Sequence, residues 1–241
     1  LARIATKVCC AFPNAFNENV SAQVVGNPLR ASISEQSDKI SSKQELVKTS
    51  RNVLVVGGSL GAQILNQIVP LSFAELVKSP TKNEVGASND LPFKIWHQTG
   101  KGKHQGVIDL YNQQSLVEDS VKVSEFIDDM ATAYQWADVV ICRAGALTVS
   151  ELAMAAKPAI FVPLPHAVDD HQTKNAQYIV SRGGAVLIKQ GDLTCSVLSE
   201  QLHALFNEPK ILKQMAKSSF AAADAQATNK VAALCQQCVA A

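Results

Sequence analysis

The sequence predicts an α/β fold, a Rossmann-like parallel sheet with helices on both faces. Three observations predict it. Short apolar segments and helix-period segments alternate from 53 to 188, about six times. Residues 53–56 are wholly apolar, as a strand buried on both faces must be. They run into Gly57-Gly58-Ser59-Leu60-Gly61-Ala62 and then a helical pattern with Ile64, Leu65, Ile68, Val69 and Leu71. Residues 139–142 repeat the move: an apolar strand, a small-residue turn at Ala144, Gly145 and Ala146, then a helix start carrying Thr148, Ser150 and Glu151.

Composition bounds the rest. The chain has 241 residues and 47% are hydrophobic, enough for a sizeable core in one large domain or two small ones. Lys plus Arg number 22 against 21 Asp plus Glu, so there is no overall basic field and nucleic acid is disfavoured as the main partner. No apolar run is long enough to span a membrane, and no signal-peptide pattern is visible. The chain opens on Leu in mid-pattern, which is expected of a fragment or a processed piece. The cysteines are Cys9, Cys10, Cys142, Cys195, Cys235 and Cys238. Cys235 and Cys238 form a C-x-x-C with no second pair at zinc spacing, so reduced thiols are expected and no metal site.

In chain order, the apolar runs at 7–12 and 23–25 each end in turn chemistry. They are expected to be strands too short to form a sheet by themselves. Residues 31–51 are polar and predict a linker or a weak helix. After the first strand and helix, 79–92 predicts a polar loop and 93–97 the next strand. The turn 98–103 carries Lys101 and Lys103, expected to be solvated. A strand is expected over 121–127, ending at Phe126-Ile127, with Asp128-Asp129 capping a helix that runs to about Trp136. Further strands are expected at 159–162 and 185–188. The helix between them, about 172–182, stops at Gly183-Gly184, and 192–241 is helical with a break at Glu208-Pro209.

A parallel sheet binds ligands beyond the carboxyl ends of its strands. The Gly57 turn, Phe126-Ile127, the Ala144 turn and the loop 166–172 all follow strands, so one rim should hold them all. A strand that stops at glycine and feeds a helix leaves backbone N–H groups and a helix dipole for an anion. Ser59 can add a hydroxyl, and Glu151 suits a neutral diol such as a ribose. The dinucleotide fingerprint G-x-G-x-x-G is broken by Ser59 and the P-loop pattern is not met, which weakens a nicotinamide or ATPase reading.

GGSLGA at 57–62, WHQTGKG at 96–102, EFIDDMATAYQWADVVICRAGALTVSE at 125–151 and DDHQTKNA at 169–176 resemble the MurG family. Those bacterial transferases move N-acetylglucosamine (GlcNAc) from UDP-GlcNAc onto a lipid-linked muramoyl-pentapeptide at the cytoplasmic face of the inner membrane. The resemblance implies the C-terminal half of a GT-B glycosyltransferase, inverting and independent of cofactors and metal. It divides the chain into a remnant of the N-terminal acceptor domain (1–30), an interdomain linker (31–51), a UDP-GlcNAc-binding domain (52–225) and a C-terminal helix (226–241) that packs back on the N-terminal domain. It places Arg30, Ser59, Ile127, Ala146, Leu147, Thr148, Val149, Ser150, Glu151 and Gln172 on the donor. Ile127 would take the uracil through its backbone, Ser59 the diphosphate, Glu151 the ribose and Gln172 the GlcNAc hydroxyls. Gly58, Phe126, Arg143, Asp170 and His171 would stand beside them. The catalytic base is expected in the N-terminal domain, outside this chain, together with the surface for the lipid-linked acceptor and the membrane. None of the chain's histidines matches that base, so the chain is expected to be inactive alone. A separate donor-binding subunit of a two-chain transferase and a non-catalytic nucleotide-binding domain are the alternatives.

Overall fold

The computed structural model describes residues 4–13, 15–16, 19–35, 50–78, 92–116, 118–165 and 170–240. Residues 36–49 of the expected linker, 79–91 of the expected polar loop and 166–169 lie outside the described residues. The first two strands, β1 (Val8–Cys10) and β2 (Ala22–Val24), pair with each other in parallel. The sequence reading left them without partners; the structure makes a small sheet of them. Phe12 and Val25 follow these strands and are buried. The Phe12 ring stacks on Tyr178 with centroids 4.8 Å apart, so this segment is fastened to the main body by its apolar turns.

The main sheet has six parallel strands in the order β5-β4-β3-β6-β7-β8. They are β3 (Arg51–Val56), β4 (Phe93–Gln98), β5 (Val121–Ser124), β6 (Val139–Cys142), β7 (Ala159–Phe161) and β8 (Ala185–Leu187). The helices are α1 (Ala31–Ser34), α2 (Gln63–Lys78), α3 (His104–Gln113), α4 (Met130–Trp136), α5 (Ala146–Met154), α6 (His171–Val180), α7 (Cys195–Asn207), α8 (Pro209–Ala221) and α9 (Ala227–Ala240). Alternation along the strands sorts the core into two layers. Leu54, Val140, Cys142 and Phe161 meet α1, α4, α5 and α6 on one face. Val53, Val55, Ile141 and Ile160 meet α2, α3 and α7 on the other. Both layers are closed, which is why the central strands read as unbroken apolar runs.

Local chemistry sets the ends of the elements. Asp129 is the N-cap of α4, its Oδ1 accepting from the Thr132 amide at 3.0 Å. The amides of Gly183 and Gly184 close α6 onto Val180 and Ile179. Thr194 caps α7 and Pro209 opens α8. Two boundaries differ from the sequence expectation: the C-terminal helical stretch breaks a second time between Ala221 and Ala227, and β5 is shorter. β5 ends at Ser124, and Phe126 and Ile127 belong to the loop beyond it. The β4–β5 register ends with Gln98 opposite Ser124, and beyond it the amides of Thr99 and Gly100 reach the carbonyls of Ser124 and Glu125 as the two turns begin. On the edge strand β5, the Lys122 ammonium lies 3.6 Å from the Trp96 ring centroid, and a lysine there discourages pairing with another strand. Among the described residues no helix is long and apolar enough to cross a membrane.

Candidate donor site at the strand-order switch

The strand order reverses between β3 and β6. The chain leaves β3 for β4 on one side and leaves β6 for β7 on the other, with Val56 opposite Cys142 at the strand ends. The connections diverge there and leave a crevice at the C-terminal edge. Two helices begin beside it, α2 and α5. Gly145 is the N-cap of α5 and offers no side-chain cap, and the helix's first turn carries no acidic residue. The amides of Ala146, Leu147 and Thr148 are therefore the uncapped donors of a helix start, the arrangement that attracts a phosphate.

The glycine turn after β3 is held from beneath by Gln98. Its side chain accepts from the Gly58 amide at 2.9 Å and donates to the carbonyls of Gly58 at 3.0 Å and Glu125 at 2.9 Å. Gln98 is buried, so one amide group locks the Gly58 turn to the loop that carries Phe126 and Ile127. Around the same turn, Lys103 donates to the Leu60 carbonyl at 2.7 Å and Gly102 donates to Glu125 Oε1 at 2.7 Å. Lys103 was expected to be solvated; its ammonium is instead a clamp on the glycine turn, because α3 starts against it. Gly58 and Ser59 are exposed on the rim. Replacing Gln98 with Ala strands the Gly58 amide, while the carbonyls of Gly58 and Glu125 keep the amides of Gly61 and Gly100. The expected loss is about 1–3 kcal/mol of stability, read by denaturant unfolding.

Glu151 lies one turn into α5 and only 9% of its surface is exposed. Its Oε2 accepts from the Tyr134 hydroxyl of α4 at 2.9 Å. Burial pushes its carboxyl upward in pKa, while the Tyr134 bond and the nearby Arg30 guanidinium pull it back. Arg30 is therefore near enough to Glu151 to act on it electrostatically, although it stands at the N-cap of α1 and is exposed. Asn27, three residues earlier in the chain, donates to Ser150 Oγ at 3.1 Å. Asn175 of α6 donates to the Ala144 carbonyl at 3.1 Å and holds that turn from the other side.

The remaining candidates take different positions. Ile127 is buried, so only its backbone can serve a ligand, whereas Phe126 is 57% exposed. Leu147 is exposed, Ala146, Thr148 and Ser150 are half-buried, and Val149 is fully buried with its amide already given to the Gly145 carbonyl at 2.9 Å, so it offers a ligand nothing. Arg143 turns away from the crevice. It donates to the carbonyls of Val162 at 3.0 Å and Pro163 at 3.1 Å and to Gln190 Oε1 at 2.7 Å, bracing the ends of β7 and β8. Gln172 Oε1 accepts from the Leu164 amide at 3.0 Å. Asp170 has φ 52°, accepts from Thr173 Oγ1 at 2.6 Å and stands just before α6, which His171 begins. Among the described residues no cluster of three or more His, Cys, Asp or Glu is arranged to hold a metal ion. Gln98, Lys103 and Tyr134 were not among the sequence candidates, because what each touches depends on strand order and helix adjacency.

A six-stranded parallel sheet with this order, covered on both faces, is the Rossmann-like fold of nucleotide-binding α/β proteins. Residues 52–232 match the model of the glycosyltransferase family 28 C-terminal domain, and the chain belongs to that family. It is 54% identical over 237 residues to the UDP-N-acetylglucosamine--N-acetylmuramyl-(pentapeptide) pyrophosphoryl-undecaprenol N-acetylglucosamine transferase of Colwellia psychrerythraea. The identity to the enzyme of the same name from Shewanella denitrificans is 48% over 238 residues. The match takes in 98% of this chain in both cases, but only 59% and 61% of the relatives, so the chain spans about six tenths of their length. Among solved structures, MurG of Acinetobacter baumannii superposes with a TM-score of 0.75 at 36% identity, over 98% of this chain and 61% of that one. The fold is thus that of the C-terminal half of a GT-B glycosyltransferase.

Proposed function

We propose that the chain is the donor-binding part of a GlcNAc transferase that takes UDP-GlcNAc as donor and a lipid-linked muramoyl-pentapeptide as acceptor, forming lipid II for peptidoglycan at the cytoplasmic face of the bacterial membrane. One observation carries the reading: the uncapped start of α5 and the buried Glu151 one turn further along stand at the strand-order switch beside the glycine turn. The helix start and Ser59 suit the diphosphate, Glu151 the ribose diol, and the backbone of Ile127 with Phe126 the uracil edge. Asp170 stands at the N-cap of α6 and His171 and Gln172 begin it, where the sugar would extend, and Arg30 would lie near the ribose. The dipole and amides supply charge stabilisation as UDP leaves, so the proposed inverting transfer needs no metal. Residues 52–225 form the donor domain in this reading. Segments 1–30, 31–51 and 226–241 are the acceptor-domain remnant, the linker and the returning helix, and an acceptor domain supplies the base and the membrane surface. Without it the chain binds donor and does not turn over.

The test is titration with UDP-GlcNAc, UDP and NAD, with and without magnesium. UDP and UDP-GlcNAc are expected to bind below millimolar and NAD is not. Glu151→Gln is expected to lower UDP affinity about tenfold, since a charged acceptor is lost. Its melting temperature should hold or rise, because the buried charge is removed as well. No binding of either uridine nucleotide at millimolar concentration ends the proposal.

A further inference from the structure

We infer that Tyr134 is the positioning residue of the ribose site: its buried hydroxyl fixes the Glu151 carboxylate in the orientation a diol needs. This rests on the donor reading above and names a residue which that reading does not use. Tyr134 is 1% exposed and its ring packs in the core layer shared by α4 and α5. A buried phenol needs an acceptor, and it finds one in Glu151 Oε2 at 2.9 Å. Among the described residues this is the one hydrogen bond that the carboxylate receives.

A carboxylate offers about four lone-pair positions, so one phenol leaves room for both hydroxyls of a ribose. A glutamate one turn into a helix has three rotatable bonds before its oxygens. Unanchored, it would lose that freedom on each binding event. Tyr134 removes the cost beforehand. The groups around Glu151 are Tyr134 on α4, Cys142 on β6 and Arg30 ahead of α1. Of these, Tyr134 is the buried donor within hydrogen-bond distance, and Cys142, fully buried, keeps its thiol neutral. Tyr134 also belongs to the helix that the Phe126–Ile127 loop feeds through the Asp129 cap. It therefore ties the proposed base loop to the ribose carboxylate through one short helix.

The experiment is calorimetric titration of the chain and of Tyr134→Phe with UDP and with 2′-deoxy-UDP. The unaltered chain is expected to prefer UDP about tenfold, the worth of one hydrogen bond to a charged group. In Tyr134→Phe the preference is expected to shrink to about twofold, with 2′-deoxy-UDP affinity nearly unchanged, since loss of positioning touches only the ribose contact. A Tyr134→Phe chain that melts lower but keeps the full preference overturns the inference, because the phenol is then merely structural. A chain that binds UDP but does not prefer it over the deoxy form, with Glu151→Gln no different, removes Glu151 from the ribose and Tyr134 with it. Should Tyr134→Phe fold poorly, fluorotyrosine labelling of the three tyrosines supplies a second reading. The Tyr134 resonance is expected to move on addition of UDP, and an unmoved resonance at saturation also overturns the inference.

Discussion

Gly61→Ala is expected to destabilise the chain by about 3 kcal/mol or more, measured as a shifted urea midpoint at unchanged slope. Gly61 has φ 68°, and a Cβ built on it would stand 2.0 Å from the Thr99 carbonyl oxygen. Gly100 is the other half of the contact, since its Cβ would meet the Gly61 amide nitrogen at 2.4 Å. The turns after β3 and β4 touch backbone to backbone, and neither can yield without parting the strands below. Because both glycines serve one contact, the double variant should cost far less than the two single costs added. Gly58→Ala is the control. Gly58 has φ 79° but open space where its Cβ would go. It should cost about 1 kcal/mol in backbone strain, keep the fold, and weaken UDP binding by filling the space before the phosphate. A near-neutral Gly61→Ala would sink the packing account; a Gly58→Ala that binds UDP like the unaltered chain would sink the phosphate account.

The contrast between these glycines was not legible in the sequence. GGSLGA reads as a turn that admits a ligand, and all its glycines look alike. Only the order β4-β3-β6 reveals that Gly61 faces a neighbouring turn while Gly58 faces open space. The strands themselves were readable, because a parallel sheet closed on both faces leaves no polar alternation to interrupt the apolar runs. Their ends were less so: β5 stops where its register with β4 ends, a fact about a neighbour and not about residues 121–127. The start of α5 and Glu151 were visible because a turn, a helix start and a carboxylate lie within a few residues of one another. Tyr134, seventeen residues before Glu151, carries no local mark, and only the packing of α4 beside α5 joins the two.

Glu151 also shows why the site resists reading as a core. Burial raises its pKa, so the folded chain favours its protonated form more than the unfolded chain does. The charged carboxylate therefore costs stability, and the cost grows as pH rises through the unfolded and then the folded pKa. A helix residue chosen for stability alone would be apolar here. A buried carboxylate, a phenol aimed at it and an arginine nearby make sense together when a neutral hydroxylated ligand completes the set.

Acid is expected to weaken the fold through His97, with the opposite sign. His97 is fully buried in β4, and burial lowers its pKa from 6.5 to about 3. Asn66 Nδ2 donates to the Thr99 carbonyl at 3.0 Å, which turns Asn66 Oδ1 toward His97 Nε2 at 3.1 Å. Nε2 must then carry the proton, and Nδ1 accepts from the Tyr111 hydroxyl at 2.9 Å. A second proton would land on Nδ1 and face a hydroxyl already donating. The neutral ring is thus what the fold requires, and its contribution is complete above pH 6.5 and lost as pH falls toward 3. The expected loss is about 2 kcal/mol at pH 5 and about 3 kcal/mol at pH 4. His203, lowered by burial and by Arg51, adds in the same direction, while protonation of Glu151 opposes it. His97→Phe isolates the effect. It strands Asn66 Oδ1 and the Tyr111 hydroxyl, costing about 2–4 kcal/mol at pH 7, but it removes the titration. Denaturant unfolding at pH 7 and pH 5 should therefore show a gap for the unaltered chain that is about 2 kcal/mol wider than for His97→Phe. Equal gaps would mean that the ring is protonated in the folded chain, and the network that joins β4 to the floor of the glycine turn would have to be redrawn.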